Sequence, residues 1–259
     1  MERRPVSGRL YLVPNTLDLG HAGDATPDLR DVLPLGAIRV AARLQHWVCE
    51  NAKTTRALLK RVHAVEPLAQ PLQSLHIVEL PRPPKGRPAA APPDLRLLLA
   101  PALDGHDLGL VSEAGLPAVA DPGAALVQAA HDAGIEVVAL SGPSSLMLAL
   151  AASGLEGQRF AFVGYLPVDA AARGARIHEL QARSRREGET QLMIETPYRN
   201  AALLASLVAE LDATTRLAVA CGLTLEGGWT RSQSVARWRE RGALQVPGDV
   251  PAVFALLAR

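Results

Sequence analysis

Four short stretches place small, polar and backbone-exposing residues where a ligand could be held. The first is Ser112-Glu113-Ala114-Gly115-Leu116-Pro117, which runs on to Asp121-Pro122-Gly123 and follows an apolar run ending at Val111. Small residues let the backbone approach a ligand, and in parallel α/β sheets ligands sit at the carboxyl ends of strands. Asp121 reads equally well as a helix cap, which needs no ligand. The second is Ser141-Gly142-Pro143-Ser144-Ser145, where Gly142 suits a tight turn and Ser144 or Ser145 can cap a helix. The third, Glu195-Thr196-Pro197-Tyr198-Arg199, also has an ordinary reading as a helix start, with Thr196 as cap and Pro197 in the first turn. The fourth, Gly222-Leu223-Thr224, follows a run ending at Cys221. Together they point to a pocket shared by the two halves of the chain.

Other chemistries are missing their parts. The first apolar run, Leu10 to Val13, leads into Pro14-Asn15-Thr16-Leu17-Asp18 with no glycine in the turn. A dinucleotide fold needs a Gly-rich turn there so that pyrophosphate can reach the backbone. Neither Gly-x-Gly-x-x-Gly, nor a phosphate loop ending in Gly-Lys-Ser/Thr, nor a Gly-x-Ser-x-Gly elbow occurs. The seven histidines show no metal-ligand spacing, so no metal is expected. Cys49 and Cys221 are too few for a disulfide scaffold or a Cys-rich zinc module, which fits a reducing cytoplasm.

The 259 residues suit one or two domains. Lys and Arg number 27 against 26 Asp and Glu, which excludes a strongly basic nucleic-acid binder and an acidic tail. A hydrophobic share of 48% excludes a mostly disordered chain, and 3% aromatics excludes base stacking as the main nucleic-acid contact. The run at Leu10 falls short of a signal-peptide core, and no apolar run approaches a membrane span.

Strand and helix patterns alternate. Strands are expected at 10–13, 37–42, 76–80, 108–112 and 135–140, with helices at 51–63 and 94–103 and another starting at Asp121-Pro122 and closed by Gly134. Short links between them imply parallel pairing. The second half alternates less regularly. Helices are expected at 144–153, 175–186, 199–211 and 232–241, and strands at 160–166, 191–195, 217–221 and 252–257. The reading is an N-terminal α/β domain over 1–142, its sheet mostly parallel, and a C-terminal α/β domain over 143–259. Pro81 to Pro93, with six prolines around Gly86, reads as an exposed loop.

The four loops, in this order, resemble those of the tetrapyrrole methylase superfamily of S-adenosylmethionine-dependent methyltransferases. Within it the chain is similar to the ribosomal RNA small subunit methyltransferase I branch, whose members methylate a ribose 2′-hydroxyl. Ser112 to Pro117 with Asp121-Pro122-Gly123 matches that branch's Ser-Asp-Ala-Gly-Thr-Pro and Asp-Pro-Gly. Gly142-Pro143-Ser144 fits its Pro-Gly-Pro loop, Gly164-Tyr165-Leu166-Pro167 its Gly-Phe-Leu-Pro, and Glu195 to Arg199 its Glu-Ser-Pro-His-Arg. The resemblance implies two α/β domains with the cofactor in the cleft between them, usually in a homodimer. Ser112, Glu113, Ala114 and Gly115 would line the cofactor site, and Ser144, Ser145 and Leu146 would flank it. Glu195, Thr196, Leu223 and Thr224 would approach the adenosine end.

The charged positions depart from the branch. Pro14-Asn15-Thr16-Leu17 lacks its Gly-Asn, Asn51 and Lys53 replace an aspartate and an arginine, and Gly222-Leu223-Thr224-Leu225 lacks its charges. Methyl transfer from a sulfonium needs acceptor, methyl and sulfur in line, and a base if the acceptor is a hydroxyl. Glu50 and Lys53 are the candidates, Lys53 only if burial lowers its pKa; both also read as an ordinary helix-start charge and a solvated lysine. An RNA acceptor would meet Arg173, Arg176, Arg183, Arg185 and Arg186, or Arg231, Arg237, Arg239 and Arg241. Interspersed acids make these equally two solvated helix faces. The alternatives are a methyltransferase of a small, tetrapyrrole-like molecule and a non-catalytic protein that binds S-adenosylmethionine.

Overall fold

The computed structural model describes residues 7–18, 28–81, 94–240 and 246–259. The proline-rich loop beyond Pro81 and Arg241 lie outside these residues. The chain divides into two compact α/β units, Met1–Pro143 and Ser144–Arg259.

In the first unit, β1 (Arg9–Leu12), β2 (His46–Cys49), β3 (His76–Glu79), β4 (Leu108–Val111) and β5 (Glu136–Ala139) form one sheet in the order β3-β2-β4-β1-β5. Every pairing is parallel. The helices are α1 (Leu29–Val32), α2 (Leu35–Arg43), α3 (Ala52–Val65), α4 (Ala100–Leu103) and α5 (Ala124–Asp132). Alternation along each strand feeds two cores. Tyr11, Trp47, Cys49 and Val111 pack with residues of α1, α2 and α3, whereas Leu10, Val48, Leu108 and Leu110 pack with residues of α4 and α5. Trp47 is fully buried, worth roughly 1.5–3 kcal/mol by area removed from water.

In the second unit, β6 (Phe160–Phe162), β7 (Thr190–Glu195), β8 (Arg216–Cys221), β9 (Trp229–Ser234) and β10 (Ala252–Leu257) are ordered β6-β7-β10-β8-β9. Only β6 and β7 pair in parallel; the other three pairings are antiparallel. The helices α7 (Ala170–Glu187), α8 (Asn200–Glu210) and α9 (Val235–Glu240) share a core with Met193, Val219 and Phe254, and α6 (Ser145–Ser153) shares one with Leu192, Ala218 and Val253.

Three expected elements are corrected. Residues 37–42 belong to helix α2, not to a strand. Ala37, Ile38, Ala41 and Ala42 are the buried positions, a 3.6-residue spacing, and alanine favours helix. The second strand is His46–Cys49 instead. Trp229–Ser234 is a strand that the polar sequence hides, and it confines the expected helix at 232–241 to Val235–Glu240. Finally, α5 starts at Ala124 with Gly123 as its N-cap residue, so Asp121 does not cap it.

Candidate functional site

The strand order of the first unit decides what meets at its carboxyl edge. β4 lies between β2 and β1, so the loops after these three strands are neighbours. The loop after β1 acts as a strap. Asn15 and Gly115 exchange backbone hydrogen bonds, at 2.9 Å from the Asn15 N–H and 3.2 Å from the Gly115 N–H. The buried Asn15 Nδ2 donates to the carbonyls of Ser112 and Glu113, both at 3.0 Å, and its Oδ1 accepts from the Thr16 N–H. Asp18, 5% exposed, accepts from Thr16 Oγ1 and pairs with Arg61 of α3 at 2.9 Å. The Asn15 bonds fix the 112–115 backbone, and the Asp18 bonds tie the strap to α3.

Two glycines make the strap fit. Gly115 has φ +67°, a left-handed conformation that favours glycine. A Cβ on Gly142 would lie 2.1 Å from Pro14 Cβ, so the loop after β5 can pass the strap only without a side chain there.

The loop after β2 holds the same segment from the other side. Glu50 Oε2 accepts the Glu113 N–H at 3.0 Å. Asn51 caps α3 through its Oδ1, and its Nδ2 donates to Glu113 Oε1 at 2.9 Å. Further along, Ala118 and Ala120 have φ of 65° and 64°, left-handed conformations that cost roughly 1–3 kcal/mol each outside glycine. Asp121, next in the chain, lies within electrostatic reach of Glu50 and Glu113. Burial first, and the Glu50 charge second, push the Asp121 carboxyl up to about 7; Glu113 adds to this. The Ser112 hydroxyl works in the opposite direction. Ser112 is 3% exposed and lies beside Asp121.

The structure thus gathers Glu50, Ser112, Glu113, Ala114 and Gly115. Lys53 stands apart, exposed on the first turn of α3. Sequence reasoning missed Asn15, Asp18, Arg61 and the place of Asp121 beside Glu50 and Glu113. The one available signal was a run of polar residues directly after a buried strand.

In the second unit the expected site residues have close-by partners. Ser144 caps α6, accepting from the Met147 N–H at 3.5 Å, and Ser145 opens the helix. Leu146 is a core residue, packed with Leu192, Ala218 and Val253. Glu195 is buried; its Oε1 accepts from the Thr196 N–H, and its Oε2 pairs with Arg199 at 2.8 Å, off hydrogen-bond direction. Leu223 leans on the α6 core, and the exposed Thr224 has φ 67°. Most of the arginines proposed to meet RNA are also engaged. Arg239 donates to the carbonyls of Val208, Ala209 and Leu211 at the end of α8, and Arg173 to Ser206 and to the carbonyl of Val168. Arg176, Arg183, Arg185 and Arg186 pair with Glu179, Glu189, Asp212 and Glu187. Arg231 lies over the Trp229 ring.

The histidines hold one surprise. His46 and His76, register partners on β2 and β3, stack at 5.1 Å, and His106 lies 5.2 Å from His46. Among the described residues, no three His, Cys, Asp or Glu side chains converge in metal-ligand geometry.

This arrangement has relatives. Residues 25–238 match the family described as tetrapyrrole (corrin/porphyrin) methylases. The chain belongs to the tetrapyrrole methylase family. A ribosomal RNA small subunit methyltransferase I from Mesorhizobium japonicum is 33% identical to this methylase-family chain over 221 residues, covering 85% of it and 65% of the relative. The proteins of the same name from Xylella fastidiosa and Mycobacterium tuberculosis are 32% and 33% identical, over 82% and 84% of the chain and 67% of each relative. The chain therefore spans about two thirds of the length of the curated relatives it matches. Among solved structures, uroporphyrin-III-C-methyltransferase from Thermus thermophilus aligns at a TM-score of 0.51 with 19% identity, covering 96% of this chain and 94% of that one. A conserved hypothetical protein from Aeropyrum pernix aligns at 0.57 with 18% identity, covering 98% and 85%. These two likenesses show a shared fold.

Proposed function

We propose that this tetrapyrrole methylase is an S-adenosylmethionine-dependent methyltransferase that methylates a ribose 2′-hydroxyl of ribosomal RNA. The observation that carries the reading is the Ser112–Gly115 segment. Its backbone is held by Asn15 from one neighbouring strand end and by Glu50 from the other, so its small residues stand ready-made for a ligand. The names of the relatives supply the acceptor class. Ser112, Glu113, Ala114 and Gly115 would hold the cofactor. Ser144 and Ser145, and Glu195, Thr196, Leu223 and Thr224 toward the adenosine end, complete the proposed cofactor set in the second unit. When bound, S-adenosylmethionine supplies an electrophilic methyl group on a sulfonium. The protein's share is to fix the donor, align the acceptor and exclude water.

A homodimer acting in the cytoplasm on the small ribosomal subunit completes the proposal. Among the described residues no helix is long and apolar enough to cross a membrane. Because most arginines are paired, docking on a ribosomal particle through local contacts fits better than tight binding of free RNA. The test is methyl transfer from labelled S-adenosylmethionine to small subunits from cells lacking this protein. Label in a ribose of the RNA is the expected result; transfer to a porphyrinoid instead, or to neither, overturns it.

A further inference from the structure

We propose that Asn51 is a positioning residue for donor binding: its side-chain amide ties the Glu113 carboxyl to the start of α3 and so holds the Ser112–Gly115 loop in its binding shape. The inference rests on the reading of that loop as the S-adenosylmethionine site. It names a residue outside the loop on which the loop's geometry depends.

Asn51 uses both ends of its amide. Its Oδ1 caps α3, accepting the Lys53 N–H at 2.9 Å and the Thr54 N–H at 3.4 Å. Its Nδ2 donates to Glu113 Oε1 at 2.9 Å, between residues 62 positions apart in the chain. A cap needs only an acceptor, and serine, threonine or aspartate would supply one. Asparagine adds an N–H donor at the far corner of a planar amide, which capping leaves unused. Here that donor is spent on Glu113. Asn51 is itself held in place: its carbonyl accepts the Thr55 N–H at 3.1 Å and the Thr54 and Thr55 hydroxyls at 3.1 and 2.8 Å. The next N–H, of Ala52, goes to Glu79 Oε1 at the end of β3.

Glu113 is reached from three loops. Asn15 donates to its carbonyl and Glu50 accepts its N–H, both at 3.0 Å, and these two bonds fix its backbone. Among the described residues, the Asn51 bond is the one hydrogen bond to its side chain. Glu50 and Asp121 stand close by, so without a donor the Glu113 carboxylate would be pushed away by like charge. A hydrogen bond to an ionised acceptor is among the stronger kinds, and it favours this one position of the side chain. The helix thus grips the loop twice. Asn51 holds it directly, and Arg61 holds it through Asp18 of the Asn15 strap. A loop fixed before the ligand arrives is spared the entropy of being ordered on binding.

The test is calorimetric titration with S-adenosylmethionine at pH 8, with thermal melts to follow the fold. Asn51→Ser and Asn51→Asp both leave a helix cap, so the melts should show folded protein. Donor affinity should nevertheless fall on the order of 10-fold in each, as for the loss of a bond to a charged acceptor. A double-mutant cycle then separates positioning from capping. In the Glu113→Gln background, Asn51→Asp exchanges the places of amide and carboxylate and restores the bond, so there it should cost little or no affinity. Either position 51 variant binding the donor as tightly as the wild type overturns the proposal and leaves the methyltransferase reading intact. So does an Asn51→Asp loss of the same size in both backgrounds. A wild type that binds no S-adenosylmethionine overturns the reading of the loop, and the positioning role with it.

Discussion

The two units hold the polar side chains of their candidate-site motifs in different ways. In the first, the partners are far apart in sequence: Asn15 reaches Ser112 and Glu113, Glu50 reaches Glu113, and Asp18 reaches Arg61. In the second, they are close by: Ser144 caps its own helix, and Glu195 is satisfied by Thr196 and Arg199. The difference follows from sheet topology. An all-parallel sheet puts the ends of β2, β4 and β1 side by side on one edge, so loops distant in sequence must bond to one another. A mixed sheet divides its loops between two edges, and the Ser144 and Glu195 side chains find their partners locally, while Asn200 and the Gly222 N–H reach the Val250 and Pro251 carbonyls. The first unit therefore holds the Ser112–Gly115 backbone from two neighbouring strand ends, and the second shows conventional helix starts at the matching motifs.

The largest effect that would break this contrast is at the strap. Gly142→Val forces a side chain into Pro14, and overpacking of this kind costs about 1–3 kcal/mol, more where backbone must move. A thermal melt should show the first unit strongly destabilised; an unchanged melt would mean that the strap is not a tight contact. Next, Asn15→Ala strips two buried carbonyls of their donor, a loss of roughly 1–3 kcal/mol. Calorimetry should show weaker S-adenosylmethionine binding along with the lowered melt, because the cradle and the fold share this side chain.

A smaller, pH-dependent effect sharpens the comparison. The folded Asp121 holds its proton up to about 7, well above the unfolded value near 4, so folding favours the protonated form. Its cost to stability is absent below pH 4, grows between pH 4 and 7 and is complete above 7. Asp121→Asn should therefore raise the melting temperature at pH 8 and leave it nearly unchanged at pH 4; a pH-independent difference would contradict the raised pKa of this half-buried carboxyl. The smallest effect belongs to the second unit. Ser144→Ala removes a helix cap worth about 1 kcal/mol. An accompanying loss of donor affinity as large as that of Asn15→Ala would erase the distinction between the units.

Much of this molecule was readable from residue order. The α6 helix, with Ser144 as cap and the left-handed Gly154 at its end, emerges where apolar spacing and terminal residues agree. The loops were recognisable because small residues after buried strands mark places where backbone can meet a ligand. The errors came where one pattern fits two structures. Residues 37–42 are apolar enough for a strand, but their buried face has helical spacing. β9, with the sequence Trp-Thr-Arg-Ser-Gln-Ser, is polar enough for a loop, yet pairing with β8 along its whole length makes it a strand.

By itself, the sequence determined the α/β class, the alternation of elements, the family-like loops and the local caps, because each depends on neighbours within a few residues. Only the tertiary structure decided that β4 lies between β1 and β2. From that follow the bonds of Asn15, Glu50 and Asn51 to one loop, the convergence of Glu50 and Glu113 on Asp121, and the burial that raises it. Charge interaction and desolvation depend on distance in space, and strand order sets that distance.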